Sequence, residues 1–197
     1  LVDTERELPP AMEAIRPPWG ESSSGLSQFE VRPDEELLRL YTGGSTGAPQ
    51  LWSKTGANLL GEALFLAAHF AVAPTDRIVA TISPAHIYGL LYSVLLPLIS
   101  GASVVAGIPS FPEEIVRAVR EREATVLVSV PPHYRALRGK GSLGASLRLA
   151  FSSAGMLDVG DNAAFCRENP SGIVEVYGST ETGGIGLRDR SRGEIGF

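Results

Sequence analysis

Tyr41-Thr42-Gly43-Gly44-Ser45-Thr46-Gly47-Ala48-Pro49-Gln50 sets three glycines and three Ser/Thr hydroxyls within ten positions. Glycine reaches the φ > 0 turns that aim successive backbone N–H groups at one point, so such a loop can cradle an anion. Thr42, Ser45 and Thr46 add hydroxyl donors to the same concavity, and phosphate is the natural guest. It is not a Walker A loop, because no lysine follows Gly47 directly. Taken alone, the same composition also suits a solvated turn between apolar runs.

On the amino side of the loop, Glu35 to Tyr41 (EELLRLY) turns apolar and reads as a strand feeding it, with Leu51–Lys54 as a return strand. Between Thr55 and Phe70 the residues Leu59, Leu60, Ala63, Leu64, Ala67 and Ala68 recur at helical spacing, and Thr55 suits the N-cap. Arg77–Ala80 reads as a strand, Tyr88–Ile99 as a buried helix with a late proline, and Ser103–Ala106 as the next strand. Pro112–Glu123 opens with proline and two glutamates, the order a helix N-terminus prefers. Thr125–Val130 is a strand ended by Pro131-Pro132. A short helix at His133–Leu137, a glycine-rich loop at 139–144, a strand at Leu147–Phe151, a helix at Val159–Glu168 and a strand at Ile173–Tyr177 follow.

Short strands alternating with helices predict an α/β fold, a mainly parallel sheet flanked by helices on both faces. Ligands in such sheets bind at the carboxyl ends of the strands. The loops after Tyr41, Phe151 and Tyr177 are expected there. Residues 1–34, with Pro9, Pro10, Pro17, Pro18, Pro33 and the run Ser22–Gly25, read as an irregular lead-in, and 35–197 as the core.

Composition removes several function classes. With 17 basic against 22 acidic residues the net charge is −5, which leaves no electrostatic footprint for nucleic acid. A single cysteine, Cys166, excludes an internal disulfide and fits a reducing compartment. No Cys/His cluster suggests zinc. The longest apolar stretch, Ile87 to Ile99, is too short and interrupted to span a bilayer. With no signal-peptide pattern at the N-terminus, a cytoplasmic location is expected. The chain starts Leu1-Val2-Asp3 without methionine, which suggests a fragment.

A second glycine-bearing stretch, Tyr177-Gly178-Ser179-Thr180-Glu181-Thr182-Gly183-Gly184, follows directly on a strand. A carboxylate at a strand end can ligate Mg²⁺, which prefers oxygen ligands and keeps nucleotide phosphates as partners. The Thr180 hydroxyl can donate to a phosphate oxygen, and the Tyr177 ring offers a flat face to a base. A plain turn with an exposed acid is the alternative.

The pairing of YTGGSTGAP with YGSTE resembles the adenylate-forming superfamily of acyl-CoA synthetases, peptide-synthetase adenylation domains and luciferases. Three further stretches match in order: Ala85-His86-Ile87-Tyr88-Gly89, Ser152-Ser153-Ala154-Gly155-Met156-Leu157 and Arg192-Gly193-Glu194-Ile195-Gly196-Phe197. The phrases HIYGLLYSVLLPL and EVYGSTETGGI resemble, more narrowly, the compact acyl-CoA or acyl-carrier-protein synthetases of aryl-polyene and xanthomonadin-type clusters. The resemblance covers residues 36–197. It implies activation of a small carboxylic acid by ATP to an acyl-adenylate with release of pyrophosphate, then transfer to the thiol of coenzyme A or of carrier-protein phosphopantetheine. The Thr42–Gly47 loop (Gly43, Gly44, Ser45, Thr46) would hold the outer phosphates. Thr180 would meet the α-phosphate, Glu181 would bind Mg²⁺, and Tyr177, Gly178, Ser179, Ala154, Gly155 and Met156 would surround the ATP or AMP. His86, Tyr88 and Gly89 would shape the acid pocket, His86 on the catalytic side.

His69 and His133 have no such support and are expected to pack or face solvent, and Cys166 to be structural. The chain departs from the family in carrying Gln50 where lysine usually follows the loop proline. Lys54, four residues on, resembles a second lysine of the compact synthetases. The family's ribose-binding aspartate, hinge and C-terminal catalytic lysine would lie beyond Phe197, so this stretch is expected to turn over poorly. A non-catalytic nucleotide-binding or scaffold module is the alternative function.

Overall fold

The computed structural model describes residues 32–42 and 50–192. Among the described residues eight strands and six α-helices follow in chain order. They are β1 (Glu36–Thr42), β2 (Gln50–Thr55), α1 (Gly56–His69), β3 (Arg77–Ala80), α2 (Ile87–Leu90), α3 (Leu96–Ser100) and β4 (Ser103–Val104). After these come α4 (Pro112–Glu121), β5 (Val126–Ser129), α5 (Pro131–Ala136), β6 (Leu149–Ser152), α6 (Val159–Glu168), β7 (Ile173–Ser179) and β8 (Gly183–Asp189). One six-stranded sheet runs β4-β3-β5-β6-β7-β8, parallel throughout except for antiparallel β8.

The alternation of side chains along each strand divides the core. Ile78, Ala80, Val126, Val128, Phe151 and Val174 point to one face, where Leu66 of α1 and Tyr88, Tyr92 and Leu96 of the helix after β3 cover them. Val79, Leu127, Ala150 and Ile173 point to the other, under Ile115 and Val119 of α4, Tyr134 of α5 and Phe165 of α6. Strands buried on both faces read as continuous apolar runs, and VLVS and LAFS do so. Thr55 caps α1 as expected: its hydroxyl accepts the Asn58 N–H while the Asn58 side chain accepts the Thr55 N–H.

Three details differ from the sequence expectation. β1 and β2 do not join the main sheet but pair with each other as a separate antiparallel hairpin. The return strand expected at Leu51–Lys54 is present as β2, but β1 and β2 stand outside the mainly parallel sheet. The expected helix at Tyr88–Ile99 spans Ile87–Ser100 but widens to a π-helical turn over Leu91–Leu95, where the Leu96 N–H bonds back to Leu91. Pro97 lacks the N–H that would bond to Ser93, and Ser93 turns its hydroxyl onto the Gly89 carbonyl at 2.7 Å. Finally, Tyr177 does not end the sheet. β7 runs on to Ser179 and turns back into β8, which pairs Tyr177 with Gly186 and Ser179 with Gly183. Glycines weaken strand propensity, which hid β8 in the sequence.

Candidate functional site

The YGSTE stretch is the tip of the β7–β8 hairpin. Gly178 sits where the two strands approach most closely: a Cβ there would stand 2.3 Å from the Gly183 carbonyl oxygen, so only glycine fits. Ser179 and Thr182 close the turn, their hydroxyls 3.1 Å apart and each accepting the other's backbone N–H. The fully exposed Glu181 carboxylate projects from this turn. A hydrogen bond from the Ser179 side chain holds it below the usual carboxylate range, with its own backbone N–H and the Lys54 charge adding to the effect.

Two residues from the other end of the chain hold this tip. Lys54 of β2 is buried and donates from Nζ to the Glu181 carbonyl oxygen at 2.8 Å. Glu62 of α1 accepts the Gly184 N–H at 2.9 Å. Its half-buried position holds the Glu62 carboxyl above its ordinary range, and the Gly184 bond and the Lys54 charge only partly offset that. Glu62 was missed in the sequence, although it is the lone charge between Lys54 and Asp76. Beside it, the Tyr92 hydroxyl is buried without a hydrogen-bond partner among the described residues. Burial, reinforced by the Glu62 charge, pushes that phenol well above its ordinary range.

The 153–157 segment follows β6 and is pinned to β7. The Ser153 hydroxyl donates to the Val176 carbonyl at 2.8 Å, and the Leu157 N–H donates to the Glu175 carboxylate at 3.0 Å. Glu175 is buried and receives Arg188 Nε and Nη2 at 2.9 and 2.6 Å. Between the two pins Ala154 adopts φ of 64°, a left-handed conformation that alanine rarely takes. Such strain persists only where the surroundings over-determine it, and it gathers at functional sites.

These pieces converge on one cavity of about 240 Å³, walled by His86, Tyr88, Ser153, Ala154 and Gly178–Thr180, with Glu62 and Tyr92 behind them. His86 stands exposed at the amino end of α2, its side chain making no cap hydrogen bond. Tyr88 lines the cavity and donates its hydroxyl to the Ser129 carbonyl at 3.2 Å. A second opening of about 540 Å³, between α1 and β8, shares Glu62, Tyr92, Val176 and Gly184 with the first and is otherwise lined by Phe65, His69, Phe70 and Leu187, among others.

Other expected site residues lie apart from that wall. Gly89 packs under the 83–84 backbone, where a Cβ would meet the Ser83 carbonyl oxygen at 2.1 Å, so this close approach of α2 requires glycine. Gly155 lies against Pro131, Met156 is 87% exposed and Tyr177 is 54% exposed. Thr42 pairs with Gln50 and closes the loop at its base. Gly43, Gly44, Ser45, Thr46 and Gly47 lie outside the described residues.

The three remaining residues weighed earlier fall into place without joining the cavity. His69 stacks on Phe65 and meets Phe70 edge-on. His133 takes part in a polar cluster, Nδ1 2.8 Å from the Thr81 hydroxyl, and its desolvation lowers the imidazole pKa. Cys166 faces outward on α6, and desolvation raises its thiol, the opposite of nucleophile activation.

Among the described residues no three His, Cys, Asp or Glu gather to hold a metal ion by themselves. An ionised, exposed Glu181 nonetheless suits Mg²⁺, which binds through one or two carboxylates and takes its remaining ligands from phosphate and water. No helix among the described residues is long and apolar enough to cross a membrane.

Such a fold, with a carboxylate-bearing hairpin tip beside a cavity at the carboxyl end of a mainly parallel sheet, defines a class, and comparison with known proteins names it. The chain belongs to the AMP-binding enzyme family, which matches residues 3–196. It is similar to the 4-coumarate–CoA ligase of Halorhodospira halophila, 33% identical over 159 residues that cover 77% of this chain and 37% of that protein. It is also similar to the sulfoacetate–CoA ligase of Cupriavidus necator, 29% identical over 153 residues, covering 77% of this chain and 30% of that protein. ATP-bound MatB from Rhodopseudomonas palustris shares the fold, with a TM-score of 0.75 over 84% of this chain and 33% of that one, at 24% identity. The chain thus spans about a third of the length of these relatives.

Proposed function

We propose that the chain carries the nucleotide-binding core of an acid–thiol ligase, which activates a small carboxylic acid with ATP and passes the acyl group to a thiol. The observation that carries this is the convergence of His86–Tyr88, Ser153–Ala154 and Gly178–Thr180, three stretches far apart in sequence, on one cavity. Relatives named as CoA ligases support the reaction class, and an ATP-bound neighbour of the same fold supports the nucleotide.

In this proposal the 42–47 loop holds the outer phosphates and Thr180 donates to the α-phosphate. Tyr177 and the backbone of 154–156 border the adenine. Glu181 holds Mg²⁺, which would neutralise phosphate charge as pyrophosphate departs. Tyr88 presents an apolar wall to the acid, with His86 at the cavity mouth. Coenzyme A is the acceptor best supported by the relatives, and an acyl carrier protein is the alternative. The narrower kinship with compact synthetases, the division at residue 34 and a cytoplasmic site of action belong to the same proposal.

Glu181→Ala tests it. Titration of this chain with ATP and Mg²⁺ is expected to show saturable binding that weakens at least ten-fold in the variant. In the longer protein, acid-dependent ATP–pyrophosphate exchange is expected to vanish. Undiminished exchange in the Glu181→Ala protein would remove the assignment, while binding without exchange in the wild-type longer protein would favour a nucleotide-binding module.

A further inference from the structure

Lys54 is a cation where charge is costly. It is 4% exposed, on β2, four residues beyond the Thr42–Gln50 pair that closes the glycine loop. Burying an ammonium is unfavourable unless anions and hydrogen bonds compensate. Among the described residues its one hydrogen bond goes to the Glu181 carbonyl oxygen, and no carboxylate among them lies within ion-pair distance. Its charge still reaches both Glu62 and Glu181, favouring the ionised form of each.

The surroundings explain why a cation is kept there. Among the described residues the cavity wall contains Glu62 and no lysine or arginine, Glu181 adds a second carboxylate at the hairpin tip, and the residue after Pro49 is the neutral Gln50. A polyphosphate arriving at Glu181 would meet two acids. Lys54 offers the compensating charge, and an ammonium with three N–H groups can serve the Glu181 carbonyl and still donate twice. Its contact also forms half of a clamp: Lys54 grips the tip at residue 181 from β2, and Glu62 grips it at residue 184 from α1.

We propose that Lys54 is the fixed cation of the nucleotide site, meeting the phosphates beyond the α-position and setting, through the Glu181 carbonyl, the turn that aims the Glu181 carboxylate. This rests on the nucleotide-binding function proposed above. Lys54 thus acts both as a binding group and as a positioning residue for Glu181.

The test compares ligands that differ in outer phosphates. The wild-type chain, Lys54→Gln and Lys54→Arg are titrated calorimetrically with ATP and Mg²⁺, with pyrophosphate and Mg²⁺, and with AMP. Glutamine keeps an N–H donor for the Glu181 carbonyl while removing the charge. The expected result is a ten-fold or greater loss for ATP and pyrophosphate in Lys54→Gln, a change of no more than three-fold for AMP, and recovery of most of the ATP affinity in Lys54→Arg. Equal losses for ATP and AMP would reduce Lys54 to a structural tether, and unchanged ATP affinity would remove it from the site; either overturns the proposal. If Lys54→Gln does not fold, by its thermal transition, Lys54→Met is read against the same outcomes. A wild-type chain that binds neither ATP nor AMP overturns the nucleotide-binding function and this inference together, whereas wild-type binding indifferent to residue 54 overturns this inference alone.

Discussion

The two ends of the six-stranded sheet hold their carboxylates in opposite ways. At the amino end Asp76 precedes β3 and is saturated: Arg148 Nε lies 2.8 Å from Oδ1, the Thr125 hydroxyl 2.7 Å from the same oxygen, and the Ala73 N–H 2.9 Å from Oδ2. Arg148 also donates to the Phe70 and Ala71 carbonyls at 3.1 and 3.0 Å, so the last turn of α1 is tied in as well. Burial alone would raise the Asp76 carboxyl, but these bonds outweigh it and bring its pKa down to about 2. At the carboxyl end Glu62 accepts one backbone N–H and is held above its ordinary range by desolvation, and the Tyr92 hydroxyl beside it has no partner among the described residues. The amino end uses its polar groups internally to fix the strands. The carboxyl end leaves hydrogen-bonding capacity open, and the candidate site lies there.

Breaking the saturated end should have the largest effect on stability. Arg148→Ala leaves a buried carboxylate without its main partner, which should cost about 3 kcal/mol, read from the urea midpoint. An unmoved midpoint would break the contrast. The pair also makes a pH prediction. The folded pKa of Asp76 lies below its ordinary value of 3.8, so its contribution is fully present above about pH 4 and is lost as pH falls toward about 2.

The hairpin tip tests the other end. Gly178→Ala puts a methyl group 2.3 Å from the Gly183 carbonyl oxygen, so the strands must part, at about 1–3 kcal/mol. Faster amide exchange confined to residues 177–184 is expected, and an unchanged exchange pattern would show that the approach is looser than described.

The smallest effect belongs to Glu62→Gln. Because folding raises the pKa of Glu62, the ionised form is penalised in the native state above that pKa and relieved as pH falls through it. Glutamine can still accept the Gly184 N–H. A gain of about 0.5 kcal/mol at pH 7, shrinking as pH drops into the carboxylate range, is expected from paired denaturation curves. A loss greater than about 1 kcal/mol would mean that Glu62 is as well satisfied as Asp76.

Where the physics is local, the sequence was a good guide. The α1 cap at Thr55 and the helix at Val159–Glu168 follow from short-range rules that use only neighbouring side chains. The all-apolar strands announced a sheet covered on both faces. β8 was not legible, because Gly183, Gly184 and Gly186 dilute its alternation and its reason to be extended is the partner strand β7. Equally hidden was the independence of the β1–β2 hairpin: strand propensity says that a segment is extended but not which strand it will pair with.

The candidate site divides along the same line. The sequence by itself determined which residue types are available: a glycine loop, a threonine and a carboxylate at 180–181, a histidine at 86 and a Ser-Ala-Gly-Met stretch at 153–156. Only the tertiary structure decided that Lys54 and Glu62 clamp the hairpin tip across more than a hundred residues, that the backbone at 83–84 approaches Gly89 too closely for a side chain, and that Tyr92 ends in a buried hydroxyl with no partner among the described residues. Local spacing encodes conformations that a segment can reach with its own atoms. Burial, long-range hydrogen bonds and the electrostatics of a shared cavity exist only once the segments have been brought together.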